Sequence, residues 1–339
     1  MIQRIREKMR EEGIDCLIVT QEENFTWAIG KRITGYMFLT QGRKEFVIPR
    51  FYRYETQDID AEYVFSKQDY EEALEEKAER FAGEVRVDEN SEKLEELFEA
   101  EETGILEDLR QIKTEEEVEK IRKACEITDE AQEYIGKKLF SGIDEFEAVA
   151  EINSFYSEKG VEDSFLTNGG QSLVQRNSLE PHRPPEKKEI KSDDLVIVDS
   201  GCRFENYCSD ITRTYCENPS REQEQLFDDV KEIQEKIIEM IESGGEVSDL
   251  AEERDRMAEE MGYNLEENVL YTLGHGVGVE VHEGPGLSVS AEEVELEEGM
   301  VVTIEPGLHV PGIGGVRLED VVLVTEDGCE VLSQSPKEL

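Results

Sequence analysis

Six short stretches of this chain bring carboxylates together with scarce histidines at spacings that could hold divalent metal. They read Val198-Asp199-Ser200-Gly201, Tyr207-Cys208-Ser209-Asp210-Ile211-Thr212-Arg213-Thr214, Gly274-His275-Gly276-Val277-Gly278, Val281-His282-Glu283-Gly284-Pro285, Thr303-Ile304-Glu305-Pro306-Gly307 and Gly315-Val316-Arg317-Leu318-Glu319-Asp320. With 83 Asp and Glu among 339 residues, an acid alone carries no information, because its ordinary fate is a solvated face. Histidine is the scarce partner, four in the whole chain, and its company is the signal. One imidazole, His275, with the carboxylates of Asp199, Asp210, Glu305 and Glu319 is a hard, oxygen-rich donor set. It suits two divalent ions such as Mn²⁺, Co²⁺ or Fe²⁺ better than a structural zinc. The chemistry of such a pair is activation of a water as nucleophile.

Something must bring these groups together, and short β-branched runs flank each acid. Segments 195–201 and 207–215 read as a hairpin centred between Phe204 and Glu205, which sets Asp199 opposite Asp210. Segments 300–306 and 315–324 flank Pro311, Gly312 and Gly314 as a second hairpin, which sets Glu305 opposite Glu319. Opposed residues on one sheet face stand about 4.5–5.5 Å apart at Cβ. Two carboxylates at that separation repel unless a cation compensates them. Gly274, Gly276 and Gly278 alternate around His275, which fits a strand under close backbone approach. The chain runs on as Val279-Glu280-Val281-His282 without opening a helix, which excludes a phosphate or dinucleotide loop.

The wider pattern is α+β. Residues 1–108 read as a small α/β domain, with a helix over 2–12 (Ile2, Ile5 and Met9 on one face) ended by Gly13 and followed by a strand at 16–20. A hairpin of 36–40 with 45–49 around Gln41-Gly42 and helices over 70–81 and 91–98 complete it, with the boundary near Gly104. Residues 109–339 carry a faint internal repeat. Helical segments 115–138 and 145–159 precede Gly160 and the strands holding Asp199 and Asp210. Segments 222–242 and 247–261 precede Gly262 and the strands holding Glu305 and Glu319. Two such halves about a pseudo-twofold would join their sheets over a shared cleft.

Composition narrows the function classes. A net charge of −46 repels nucleic acid and anionic membranes, so neither is expected as a partner. Recurrent apolar runs, 195–198 and 301–304 among them, argue for a folded chain over a disordered one. A surface this acidic suits a salt-rich cytosol, where screening shrinks its self-repulsion. The six cysteines form no C-x-x-C pair and read as buried free thiols in a reducing compartment. The first residues form a charged helix without a signal-peptide core, so a cytoplasmic location is expected.

At these residues the chain resembles the pita-bread metallopeptidases, in the branch of Xaa-Pro dipeptidases (prolidases) and Xaa-Pro aminopeptidases. Leu109-Arg110-Gln111-Ile112-Lys113-Thr114, followed by Ile121-Arg122-Lys123-Ala124-Cys125, is similar to that family's entry into its catalytic domain. Segments 15–20 and 24–30 resemble its creatinase-like N-terminal domain. The resemblance implies a creatinase-like domain over 1–108 and a pita-bread catalytic domain of two pseudo-symmetric helix-helix-strand halves over 109–339. It implies Asp199, Asp210, His275, Glu305 and Glu319 as metal ligands, with Asp210 and Glu319 bridging two divalent ions. Mn²⁺ comes first among them, with Co²⁺, Fe²⁺ or Zn²⁺ as alternatives.

The activity implied is hydrolysis of the Xaa-Pro bond in dipeptides or short peptides, and the assembly implied is a homodimer. Glu305 would carry a proton from the nucleophile to the leaving proline nitrogen. Leu179-Glu180-Pro181-His182-Arg183-Pro184-Pro185 resembles the family's Pro-His segment. His182 and His282 would then meet the substrate and stabilise charge on its carbonyl oxygen; otherwise each is an ordinary loop or strand-end histidine. Arg317 reads either as a fork for a substrate carboxylate or as a counter-charge to the acid cluster. The chain departs from the family at Asn206, where glycine is common, and at His309, where tyrosine is common near the substrate pocket. Competing readings are a pita-bread protein that binds peptides without turnover, another hydrolase on the scaffold such as a methionine aminopeptidase, and an acidic cation buffer. Dipeptidase and aminopeptidase both remain open.

Overall fold

The computed structural model describes residues 1–59, 61–81, 83–89, 91–165, 172–180, 183–291 and 294–339. The chain divides into two compact units, Met1–Arg110 and Gln111–Leu339.

In the first unit, helix Ile2–Glu12 buries Ile5 and Met9 and stops at Gly13, whose φ of 73° closes the helix in the left-handed region. Among the described residues a six-stranded sheet follows, in the order Ala61–Val64, Lys44–Pro49, Tyr36–Leu39, Cys16–Val19, Val85–Val87, Glu101–Glu102. The expected hairpin of the two strands after position 35 is present, pairing Tyr36 with Val47 and Leu39 with Lys44. Ile18, Phe38, Val47 and Val87 from the sheet pack with Leu74 and Leu94 from helices Lys67–Ala78 and Glu92–Phe98.

The second unit repeats one order of elements. Helices Glu115–Gly136 and Glu145–Lys159 come before strands Leu173–Arg176, Val196–Ser200 and Ile211–Tyr215, which form one antiparallel sheet. Helices Arg221–Met240 and Val247–Glu260 come before strands Gly274–Gly276, Glu283–Leu287, Val301–Ile304, Asp320–Thr325 and Gly328–Val331, which form another. Each half has its own apolar core. Ala131, Ile135, Val149 and Ile152 pack on Val196 and Val198; Leu226, Val230 and Ile233 pack on Val302, Ile304 and Val322. The helix starts follow from local chemistry. Thr114 with Glu117, Asp144 with Glu147 and Ser220 with Gln223 each form a reciprocal capping box, a feature worth about 0.5–2 kcal/mol of helix stability. No helix among the described residues is long and apolar enough to cross a membrane.

Of the two acid-bearing hairpins, one keeps the expected register and the other does not. The second has the expected register: Val301 faces Leu323, Ile304 faces Asp320 and Gly307 faces Arg317. Glu305 and Glu319 both lie where its ladder is interrupted, between the five-stranded sheet and the two-stranded ribbon of Gly307–Val310 with Gly314–Arg317. The first hairpin is shifted. Asp199 faces Thr212, and the turn is Glu205-Asn206, closed by the pair Phe204 and Tyr207. Glu205 and Asn206 both have positive φ, 45° and 73°, the sign pattern of a type I′ turn. Asp210 therefore lies two residues along from the partner of Asp199. Because side chains alternate with period two, the shift leaves both acids on one face. The run expected over 207–215 is also broken, into Tyr207–Cys208 and Ile211–Tyr215, with Asp210 in the break.

Candidate metal centre

Three of the four candidate carboxylates sit where a strand stops or is interrupted, and the backbone there is held by the helix packed behind it. Gln132, fully buried on helix Glu115–Gly136, donates through Nε2 to Val198 O (3.1 Å), Ile211 O (2.8 Å) and Ser200 Oγ (3.0 Å). Gln234, fully buried on helix Arg221–Met240, donates to Ile304 O at 3.0 Å. Each glutamine thus grips the carbonyl just before a candidate ligand, Asp199 in one half and Glu305 in the other. A buried carbonyl without a partner would be costly, so these bonds fix the backbone that carries each ligand.

His275 is the middle residue of strand Gly274–Gly276. A Cβ at position 274 would lie 2.1 Å from Thr303 O, and one at 276 would lie 2.0 Å from Gly284 O, so only glycine allows this approach. Its backbone N donates to Thr303 Oγ1 at 3.1 Å, and Nδ1 lies 3.1 Å from Gly276 O. With the hydrogen on Nδ1, that contact is a hydrogen bond. Burial acts downward on the imidazole, but the hydrogen bond and charge of Glu305 and the charge of Glu319 outweigh it and raise it above its ordinary value, so Nε2 would offer the acids a lone pair only with a cation held between them. Nε2 is 3.3 Å from Glu305 Oε1 and 3.6 Å from Asp210 Oδ2.

The acids converge. Donor atoms of Asp199, Asp210 and Glu319 gather within 4.8 Å of one another, as do those of His275, Glu305 and Glu319, and those of Asp210, His275 and His282. Asp199, Asp210 and Glu319 are 5%, 3% and 1% exposed. One oxygen of each (Asp199 Oδ1, Asp210 Oδ1, Glu319 Oε1) is buried without a hydrogen-bond partner among the described residues. Burial, then the charges of Glu319, Asp199 and Glu305, push the Asp210 carboxyl far above its ordinary range. Burial and the charges of Glu305 and Asp199 push Glu319 up to about 8. Burial acts upward on Glu305 too, but the hydrogen bond and charge of His275, with Arg317 and His282, outweigh it and hold this carboxyl low. Negative charge crowded out of water in this way calls for cations.

One protein cation answers part of that need. Arg317 is 2% exposed and forms an ion pair through Nη2 with Asp199 Oδ2, while its Nε donates to Thr212 Oγ1 at 3.1 Å. Its guanidinium lies 5.5 Å from the centre of the Tyr271 ring. Of the two roles expected for Arg317, these contacts favour the counter-charge. Thr212 also donates to Glu319 Oε2 at 2.8 Å. Thr212 and Thr303 were not among the residues singled out from sequence. Each lies two positions from a candidate ligand, Asp210 or Glu305, and the strand period puts it on that ligand's face.

The remaining candidates divide. His282 is exposed, with its ring centroid 4.3 Å from that of His275. His309 is 1% exposed, 3.1 Å from Ser178 O through Nδ1, and 5.9 Å ring to ring from Tyr271. His182 lies outside the described residues, and its neighbour Arg183 is tied by Nη2 to the fully buried Glu145 at 2.7 Å. All six cysteines are free, five of them buried.

The model of metallopeptidase family M24 matches residues 119–326, and that of the creatinase/prolidase N-terminal domain matches residues 1–124. The chain is 38% identical over 240 residues to the Xaa-Pro dipeptidase of Pyrococcus furiosus, a match that covers 69% of this chain and 66% of that protein, just under two thirds of its length. The crystal structure of the prolidase from Pyrococcus horikoshii OT3 superposes with a TM-score of 0.89 at 29% identity, covering 100% of this chain and 99% of the other. The Xaa-Pro dipeptidase from Bacillus anthracis gives 0.88 at 31%, covering 100% and 98%.

Proposed function

This chain belongs to metallopeptidase family M24, and from that premise we propose that it hydrolyses the bond between an N-terminal residue and a following proline, with dipeptides as the preferred substrates. The observation that carries the proposal is the buried cluster of four carboxylates and one imidazole with three unpaired oxygens. A structural cluster would have its lone pairs satisfied by the protein; these are oriented for cations. The donor set fits two divalent ions held by Asp199, Asp210, His275, Glu305 and Glu319, with Mn²⁺ our choice on the oxygen-rich character of the site. Bound there, the ions would supply Lewis acidity that lowers the pKa of a water and polarises the scissile carbonyl.

The side chains do the rest. Glu305, held low and with its side chain 12% exposed, is the group that accepts the proton of the attacking water and delivers it to the prolyl nitrogen. His282, exposed beside His275, donates to the carbonyl oxygen as charge develops there. We assign His182 the same kind of contact on its sequence motif. Arg317 holds Asp199 in place. The prolyl nitrogen has no hydrogen and its ring restricts the backbone, so such bonds need a site of their own shape. We further propose a homodimer, on the family resemblance alone, and a salt-rich cytoplasm, the setting that the net charge of −46 supports. The test compares Ala-Pro with Ala-Pro-Ala, each with Mn²⁺ and molar potassium chloride. Cleavage of Ala-Pro alone supports the dipeptidase, cleavage of both an aminopeptidase, and cleavage of neither rejects the proposal.

A further inference from the structure

His282 is exposed, yet the residue after it is held as firmly as any in the core. Glu283 Oε1 meets Lys113 Nζ at 2.8 Å, and the two side chains are 6% and 1% exposed. Room for that carboxylate exists because position 278 is glycine, where a Cβ would lie 2.4 Å from Glu283 Oε1. The turn that carries His282 is fastened at its start as well. Val277 N donates to Val301 O (3.0 Å), Cys208 N donates to Gly278 O (2.7 Å) and Gly278 N donates to Glu280 O (2.9 Å). Lys113 is itself anchored: its backbone N donates to Gly299 O at 2.9 Å, and Ile112 bridges to Met300, which leads into strand Val301–Ile304, just before Glu305. The Gln111 side chain lies against Gly284, where a Cβ would come within 3.1 Å of Nε2.

An ion pair withdrawn from water is a poor source of net stability, because both charges give up their hydration. What it does supply is a sharply defined separation. A shift of Glu283 away from Lys113 would strand the Lys113 ammonium in a medium of low dielectric constant. His282 is one peptide bond from that constraint and its ring stands over the ligand cluster.

We propose that Lys113 is a positioning residue for the reaction, acting through Glu283 to fix the His282 imidazole where the carbonyl oxygen of the substrate will be. This rests on the role assigned above to His282. The test uses the full-length, Mn²⁺-loaded protein with Lys113→Arg, with Lys113→Met combined with Glu283→Gln so that no charge is stranded, with His282→Ala, and with all three changes of the last two together. The neutral pair is expected to lower kcat by about 10- to 100-fold, the scale on which a misplacement of about 1 Å acts. KM is expected to change less than about threefold and the metal content not at all, since the loss is specific to the transition state. Lys113→Arg should recover most of kcat, and adding His282→Ala to the neutral pair should cost nothing more, because the effect passes through that ring.

A readout independent of turnover is the ring ¹H–¹³C resonance of His282, one of only four histidines in the chain. It should move in the neutral pair while that of His309 stays in place. An unmoved resonance with unchanged kcat overturns the proposal, and so does a loss of kcat that multiplies with that of His282→Ala. If His282→Ala alone keeps full kcat, the charge-stabilising role of His282 is the reading that fails. The resonance shift then decides by itself whether Lys113 positions the ring.

Discussion

Glu305 differs from the acids around it because its carboxyl is held low while burial drives Asp210 and Glu319 upward. It stays ionised at neutral pH and ready to take a proton. Glu305→Gln keeps the size and one acceptor oxygen but removes that capacity. Turnover of Ala-Pro is expected to fall by about 10²–10⁴-fold, the usual worth of a general base, with part of the metal retained per chain. Undiminished turnover would remove Glu305 from the mechanism. His309 carries a different consequence. Burial pushes its imidazole down to about 4, against about 6.5 in an unfolded chain. Between those values the unfolded chain binds a proton that the folded chain refuses, so stability is intact above pH 6.5 and lost as pH falls toward 4. Each pH unit in that window is worth about 1.4 kcal/mol, which brings the total to about 3 kcal/mol. His309→Gln removes the titrating group, so urea midpoints of parent and variant should draw apart in the variant's favour from pH 7 to 4.5. Carboxylates common to both proteins cancel in that comparison. A constant difference across the range would count against a buried neutral His309.

At the scale of elements, what could be read from sequence was what local chemistry writes. Helix Glu145–Lys159 begins and ends where expected because Asp144 with Glu147 caps its start and Gly160, at φ 75°, closes its end. The hairpin around Gly312 has the expected register because Pro311, Gly312 and Gly314 mark its turn. The hairpin of Asp199 was displaced because nothing in Glu205 announces a turn. A glutamate at φ 45° is an unfavoured choice for that position. The strand-like residues on both sides, Tyr207-Cys208 and Ile211–Tyr215, likewise conceal the interruption at Asp210. Long-range partners were beyond reach: Arg317 and Asp199 lie 118 positions apart, and no local pattern links them. The strained turn makes its own prediction. Glu205→Asn with Asn206→Gly installs the preferred type I′ pair, and should stabilise the protein by about 0.5–1 kcal/mol by relieving the glutamate's backbone. A urea titration measures it, and a lower midpoint than the parent's would show that the turn is held for another reason.

Over the whole molecule, negative charge is excessive at two depths, and the remedies differ. Inside, four carboxylates share Arg317, His275 and His282 as nearby cationic or ligating partners, and three of the four are buried. Over the whole sequence 83 acids face 37 lysines and arginines, and most of the resulting −46 lies outside that cluster. Dissolved salt reaches the second excess and hardly touches the first, since the screening length falls from about 8 Å at physiological strength to about 3 Å at 1 M only where solvent penetrates. Potassium chloride raised from 0.1 to 2 M should therefore raise the melting temperature, with or without bound metal. Chelation should lower it by nearly the same amount at either salt concentration, because the ions compensate a buried cluster that bulk salt does not reach. Independent terms add. If high salt abolished the cost of chelation, the cluster would be solvated and the separation of the two excesses would be wrong. If salt left the melting temperature flat, the acidic surface would serve solubility and not an adaptation to a saline interior.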